Sequence, residues 1–182
     1  MVTLSDRDLA TRVRHGDKDA FGELVRRYQT SIFNVCYRLA GESREAEDLA
    51  QEAFVRAYER FDRYDLERPF GPWMRRVATN LCLNHLSTRV KAAFSLDDER
   101  DEPPSGVDQS PEGLSLRAER AEVLRAAILA LPPHYRAVIE LRHFQDLSYA
   151  QIAEQLGIPL SDVKSHLFRA RRSLEKKMRP YE

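Results

Sequence analysis

Between residues 95 and 111 the chain carries three prolines, one glycine and a run of acids, and its apolar residues keep no period. Asp97, Asp98, Glu99, Asp101 and Glu102 repel one another, and Pro103-Pro104 cannot continue a helix. No single core can be built through such a segment. The chain is therefore expected to fold as two small domains, residues 1–91 and 114–182, joined by an acidic flexible linker at 92–113. Hydrophobic content of 42% is enough for two packed cores. Each core is modest, because a small domain buries a smaller share of its surface.

Helix signals fill the first domain. Ser5 is placed to cap a first helix ending at Gly16, and Asp17 a second. In the second, Phe21, Leu24, Val25, Tyr28, Ile32, Val35, Cys36 and Leu39 keep helical spacing until Gly41 stops them. Ser43, with Glu45 and Glu47 in the first turn, opens a third helix whose apolar stripe is Ala46, Leu49, Ala50, Ala53, Phe54, Ala57 and Phe61. A loop at 62–71 follows. Pro72 then sits in the first turn of a fourth helix that is expected to run to about Lys91.

Beyond the linker, helical spacing resumes near Glu112 and runs through Val123, Leu124, Ala127 and Ile128 to Leu131; Pro132-Pro133 restarts it with Val138, Ile139 and Leu141. Ser148 and Gln151 form a capping box for a helix that buries Ile152, Ala153 and Leu156 and stops at Gly157. Ser161 is expected to cap the last helix, with Val163, Leu167, Ala170 and Leu174 inward and Lys164, Ser165, Phe168, Arg169 and Arg172 on the other side. Two short helices joined by a glycine turn, the second basic outward, follow the plan of a DNA-reading helix-turn-helix. Phe168 either meets thymine methyls in a major groove or packs on a neighbouring helix. No segment alternates like a strand, so the expected fold is all-α.

The charge sums to zero, with 29 bases against 29 acids, but it is segregated. Residues 69–91 hold Arg75, Arg76, Arg89 and Lys91 and no acid, and residues 161–179 hold seven bases against Asp162 and Glu175. Acids gather at 42–67 and 97–112. This pattern fits either distinct partners for distinct faces or ordinary solvated helix exteriors. Cys36 and Cys82 lack metal-ligand spacing and read as buried thiols. No run of about 18 apolar residues would span a membrane. Asp6, Arg7, Asp8, Arg12 and Arg14 occupy the place of a secretory signal's apolar centre. A cytoplasmic protein is expected. There is no phosphate-binding glycine loop, zinc-ligand pair or nucleophile elbow, and the five histidines are scattered. Neither an enzyme, a cofactor nor a small-molecule substrate is expected.

Three motifs in order carry a family resemblance. The run from Asp48 through Gln51, Glu52, Phe54 and Arg56 to Tyr58 resembles the polymerase-binding helix of the sigma-70 family of RNA polymerase sigma factors, in its small extracytoplasmic-function group. Trp73, Arg76, Val77 and Asn80 are similar to that family's segment facing the minus-ten promoter element, and residues 131–172 to its minus-35 domain. Asn84-His85 departs from the family, in which many members carry an acidic residue and an aromatic one there. The resemblance implies a promoter-specificity subunit. Asp48, Gln51, Glu52, Phe54 and Tyr58 would bind the clamp helices of the largest subunit of core RNA polymerase, and the second domain the flap of the second-largest. Tyr64, Phe70, Trp73, Arg76 and Asn80 would meet the single-stranded minus-ten element, although Tyr64, Phe70 and Trp73 also suit a core. Lys164, Ser165, Phe168 and Arg169 would read bases of the duplex minus-35 element, with Arg171 and Arg172 on phosphates. The acidic linker would thread the polymerase channel, and an anti-sigma factor is implied as a regulator. The rival reading is an effector-gated helix-turn-helix regulator that binds a palindrome unaided.

Overall fold

The helix boundaries follow from which side chains satisfy the first and last backbone groups of each helix. In the computed structural model, which describes residues 4–94 and 116–179 (side chains from 4–86 and 119–179), eight α-helices appear among the described residues. They are α1 (Asp6–Arg14), α2 (Lys18–Ala40), α3 (Ser43–Glu59), α4 (Phe70–Phe94), α5 (Leu116–Leu129), α6 (Pro133–Ile139), α7 (Tyr149–Leu156) and α8 (Leu160–Met178). The all-helical expectation holds for these residues. The acidic segment from Asp97 to Glu102 lies outside them.

Ser5 caps α1 as expected, and Asp8 closes a full capping box by accepting the Ser5 amide at 3.1 Å. Asp17 caps α2 through the Ala20 amide at 3.1 Å, and Gly41 ends it at φ 92°. Two expected caps are corrected. Glu42, not Ser43, caps α3: its carboxylate accepts both the Arg44 and Glu45 amides at 3.2 Å. A longer anionic side chain satisfies two orphan donors where a serine hydroxyl usually satisfies one, and its charge favours the helix's positive end. Pro159, not Ser161, stands before α8; the Ser161 hydroxyl instead donates to Asp162 at 3.2 Å. A short 3-10 turn, Phe61–Arg63, follows α3.

The chain divides into two compact units, Met1–Asn84 and His85–Glu182, with the division inside α4. In the first, α2 packs against both α1 and α3. Leu9, Leu24, Ile32, Leu39, Leu49 and Met74 are among its buried residues, and both cysteines are buried free thiols. In the second, Leu131, Val138, Leu141, Ile152, Val163, Leu167 and Ala170 form one core. The Ser148–Gln151 capping box forms in both directions, at 2.8 and 3.3 Å, and Gly157 ends α7 in the left-handed region at φ 66°. A π-helical segment, Glu140–Phe144, follows α6 and has no counterpart in the sequence reading. It closes with the Gln145 amide donating to the Glu140 carbonyl at 3.1 Å.

Leu167 is inward on α8 and almost wholly buried. Leu167→Ala should lower the stability of this unit by about 2–5 kcal/mol. Hydrogen exchange should show faster opening of α6–α8 amides, with those of α2 and α3 unchanged.

Candidate protein and nucleic-acid interfaces

Helix α3 has two faces of different chemistry. Ala46, Leu49, Ala50, Ala53, Phe54 and Ala57 point into the core. Asp48, Gln51, Glu52, Val55 and Tyr58 are exposed on the opposite side, as the sequence expects of the four polar or aromatic ones. Phe54 is corrected: at 7% exposure it is a core residue and offers no surface to a partner, because it falls in phase with the alanine row. Val55, 56% exposed, was missed. The available signal was an apolar residue out of phase with the buried stripe, four positions from Gln51 and three from Tyr58. Tyr58 is held from below by Phe21, whose ring centroid lies 4.9 Å away.

The end of α3 and the 3-10 turn after it border α4 at a cavity: Arg56 stands on α3, Arg60 is its C-cap and Arg63 lies in the turn. With Trp73, Arg76 and Asn80 these three arginines line a cavity of about 270 Å³. Val77, Leu81 and Asn84 complete it, so the lining holds four guanidinium groups and no carboxylate among the described residues. Such a site favours an anion, and the half-buried Trp73 adds a face on which a base can stack. Glu52 pairs with Arg56 at 2.6 Å, one turn away on α3. Arg76 and Asn80 share the α4 face, as their spacing predicts. Sequence reasoning missed Arg56, Arg60 and Arg63, whose grouping depends on the 3-10 turn that follows α3.

Tyr64 and Phe70 are corrected as strand contacts, at 3% and 1% exposure. Their rings pack edge-on at 5.8 Å, Phe61 sits 5.4 Å from Tyr64, and Trp73 lies 4.7 Å from Tyr64. These rings form the floor under the cavity, with only Trp73 reaching its wall. Apolar area beside so many rings is worth more buried than exposed.

On α8, Val163, Leu167 and Ala170 face the core while Lys164, Phe168, Arg169, Arg171 and Arg172 are exposed and Ser165 is half-buried. Phe168 is 64% exposed, so most of its ring is open to solvent. Lys164, Phe168 and Arg171 form one line along the helix, and Ser165, Arg169 and Arg172 the next, giving a cationic face with an aromatic at its centre. His166 lies 5.1 Å from His134 of α6. Burial, and then the neighbouring His166, push His134 below its ordinary range.

Comparison with known proteins bears on both units. The sigma-70 region 2 family profile matches residues 24–92, and the sigma-70 region 4 profile residues 121–174. The ECF RNA polymerase sigma factor SigW of Bacillus subtilis is 38% identical, over 92% of this chain and 94% of its own length. The chain belongs to the extracytoplasmic-function sigma factors. The ECF RNA polymerase sigma-E factor of Escherichia coli K12 is 33% identical over 97% of this chain and 96% of its own. Two solved structures share the fold. CnrH, solved with the cytosolic domain of CnrY, has a TM-score of 0.60 at 23% identity and covers 96% of this chain and 97% of its own. RpoE of Bartonella quintana, solved with the anti-sigma factor NepR, has a TM-score of 0.63 at 19% identity and covers 87% and 96%. This sigma factor is a transcription initiation factor that directs RNA polymerase to promoters.

The division of α3 predicts unequal stability effects along one helix. Asp48→Arg and Gln51→Ala should leave thermal unfolding followed by circular dichroism within a degree or so of the parent, since surface changes usually stay within about 0.5 kcal/mol. Phe54→Ala should destabilise the fold by about 3–5 kcal/mol.

Proposed function

We propose that this sigma factor divides promoter recognition among three surfaces. The outward face of α3, with Asp48, Gln51, Glu52, Val55 and Tyr58, docks on the clamp helices of the largest polymerase subunit. The cavity between α3 and α4, with the connection at 64–69 beside it, holds the opened minus-ten strand. The exposed face of α8 enters the major groove of the minus-35 duplex, while the rest of that unit rests on the flap of the second-largest subunit. The observation that carries this reading is the opposed chemistry of α3 and the turn after it: an acidic, hydrogen-bonding outer face on the helix, and Arg56, Arg60 and Arg63 lining the cavity with α4. Acidic side chains repel phosphate and suit a basic protein surface. Guanidinium groups around an aromatic ring suit the backbone and bases of a single strand.

On α8, Arg169 is placed to give a guanine two hydrogen bonds, with Lys164, Ser165 and Phe168 on neighbouring base edges. Arg171 and Arg172 meet phosphates, which hold register and carry no sequence information. RNA synthesis itself is the chemistry of the polymerase, and the sigma factor contributes recognition without a catalytic group of its own. It works in the cytoplasm with that polymerase; among the described residues no helix is long and apolar enough to cross a membrane. An anti-sigma factor is the regulator this family reading implies.

Run-off transcription with core polymerase tests the whole reading. Added protein should confer initiation from its promoters, and Asp48→Arg should lose core-polymerase pull-down while keeping its helicity. An unchanged pull-down for Asp48→Arg removes α3 from the polymerase interface. A second measurement uses singly substituted minus-35 elements. Arg169→Ala should relax preference at one position by about 1–3 kcal/mol, whereas Arg172→Ala should weaken all promoters about equally. The reverse pattern places the reading face part of a turn away.

A further inference from the structure

The loop expected at 62–71 is shorter in the structure: the 3-10 turn takes Phe61–Arg63 and α4 begins at Phe70, so residues 64–69 join the two, and their neighbours include residues far away in sequence. The Arg14 guanidinium, at the end of α1, donates to the Tyr64 carbonyl at 2.5 Å across a part-buried contact. The Tyr64 hydroxyl in turn donates to the Arg68 carbonyl, so one residue ties the loop both to α1 and across itself. Arg7 pairs with Glu67. Both partners of that pair are more than 60% exposed, so it contributes little. The Arg14 bond is the stronger tie, since a charged donor meets a carbonyl partly shielded from water.

The far end of the loop is fixed from α2. A Cβ at Gly71 would lie 2.8 Å from a ring carbon of Tyr28, so the Tyr28 ring rests directly on the backbone where α4 begins. That ring also meets Phe70 at 5.2 Å. The Tyr28 hydroxyl donates to Asp6 in the first turn of α1, and Arg27 holds the same carboxylate at 2.9 Å. Burial first, and then the bond to Asp6, push the Tyr28 hydroxyl up to about 12. It therefore remains a protonated donor at any physiological pH.

Neither end of this arrangement lies in the cavity lining or on α8. α1 packs against α2 and against the 3-10 turn at the start of the loop. We propose that α1, with Tyr28 of α2 bonded to it, is a brace for the connection between the 3-10 turn and α4: Arg14, and Tyr28 seated on Gly71, are positioning residues that set minus-ten selectivity without touching DNA. The inference rests on the assignment of this loop to the opened minus-ten strand. A loop of this length, untied, samples many backbone states, and ordering it on binding would consume affinity equally for right and wrong bases. Held in one conformation beforehand, it penalises a wrong base and not the right one.

The test is run-off transcription with core polymerase on promoters singly substituted in either the minus-ten or the minus-35 element. The parent is compared with Arg14→Ala, Arg14→Lys and Gly71→Ala, and with Arg63→Ala in the 3-10 turn. Arg14→Ala should lose about fivefold of minus-ten discrimination, the scale of a partly exposed charge-assisted hydrogen bond. Its minus-35 discrimination and core-polymerase pull-down should remain within twofold of the parent. Arg14→Lys, which keeps a cationic donor, should recover part of the loss. Gly71→Ala, which displaces Tyr28, should repeat it from the other end. The brace is overturned if minus-ten discrimination survives in both Arg14→Ala and Gly71→Ala while Arg63→Ala reduces it. Equal losses at both elements also overturn it, since they report general damage. If Arg63→Ala and the brace variants alike leave minus-ten discrimination unchanged, the strand-holding assignment falls, and the brace with it.

Discussion

The close seating of α3 on α2 through small side chains is the constraint from which the first unit is built. Ala46, Ala50, Ala53 and Ala57 recur every three or four residues on α3 and are all buried. Alanine lets the two helix axes approach, and larger side chains nearby fill the remaining space: Leu49 and Phe54 from α3, Ile32, Val35 and Leu39 from α2. A narrow buried stripe leaves most of the circumference of α3 outside the core. That is how α3 and the turn that follows it can present an acidic surface on one side and arginines on another.

The ring cluster beneath the cavity depends on the same seating. Phe61 lies just past the end of α3, and Tyr64, Phe70 and Trp73 gather round it, with Phe61 and Trp73 edge-on at 6.0 Å. Their packing turns the chain from α3 into α4 and fixes where Arg76 and Asn80 stand relative to Arg56, Arg60 and Arg63. Four like charges around one cavity repel one another, so the rigid apolar floor holds together a site whose electrostatics favour spreading. A bound polyanion would relieve that repulsion. Binding energy at such a site is gained from charges that folding has already brought together.

The second unit solves a different problem, that of presenting α8 from a small core. The π segment after α6 lets the chain turn within a few residues, and it places Glu140 inside the unit at 1% exposure. The Gln145 side-chain amide donates to that carboxylate at 3.1 Å, and the Arg142 guanidinium donates to the Leu147 carbonyl at 3.0 Å. These polar bonds shape the connection into Ser148, where the capping box starts α7. The glycine turn at Gly157 then sets the angle at which α8 leaves, with its inward face clamped by Val163, Leu167 and Ala170 and its basic face free.

Much of this was legible from residue order, because it depends on local physics. Helical spacing gave the apolar stripes of α2, α3 and α8, the Ser148–Gln151 box and Gly157 gave the turn between α7 and α8, and the outward placement of Asp48, Gln51, Arg169 and Arg172 followed from being out of phase with those stripes. Caps were less secure: Glu42 displaced Ser43 because a flexible carboxylate reached two amides, which a preference scale for single residues does not weigh. The burial of Phe54 followed from its place in the α3 stripe, whereas the roles of Tyr64 and Phe70 were decided only by tertiary structure. An aromatic residue near basic side chains reads equally well as a stacking platform or as core, and only the arrival of Phe61 and Trp73 from other turns buried the rings of Tyr64 and Phe70. The arginine cavity is likewise a product of the fold, since Arg56 and Arg76 are distant in sequence and become neighbours only when α3 and α4 pack. The hold of Arg14 on Tyr64 joins residues fifty positions apart. Sequence determined the faces of each helix, because a helix's period is set by its own backbone. Tertiary packing decided which faces meet, because that depends on how side chains from separate elements share one volume.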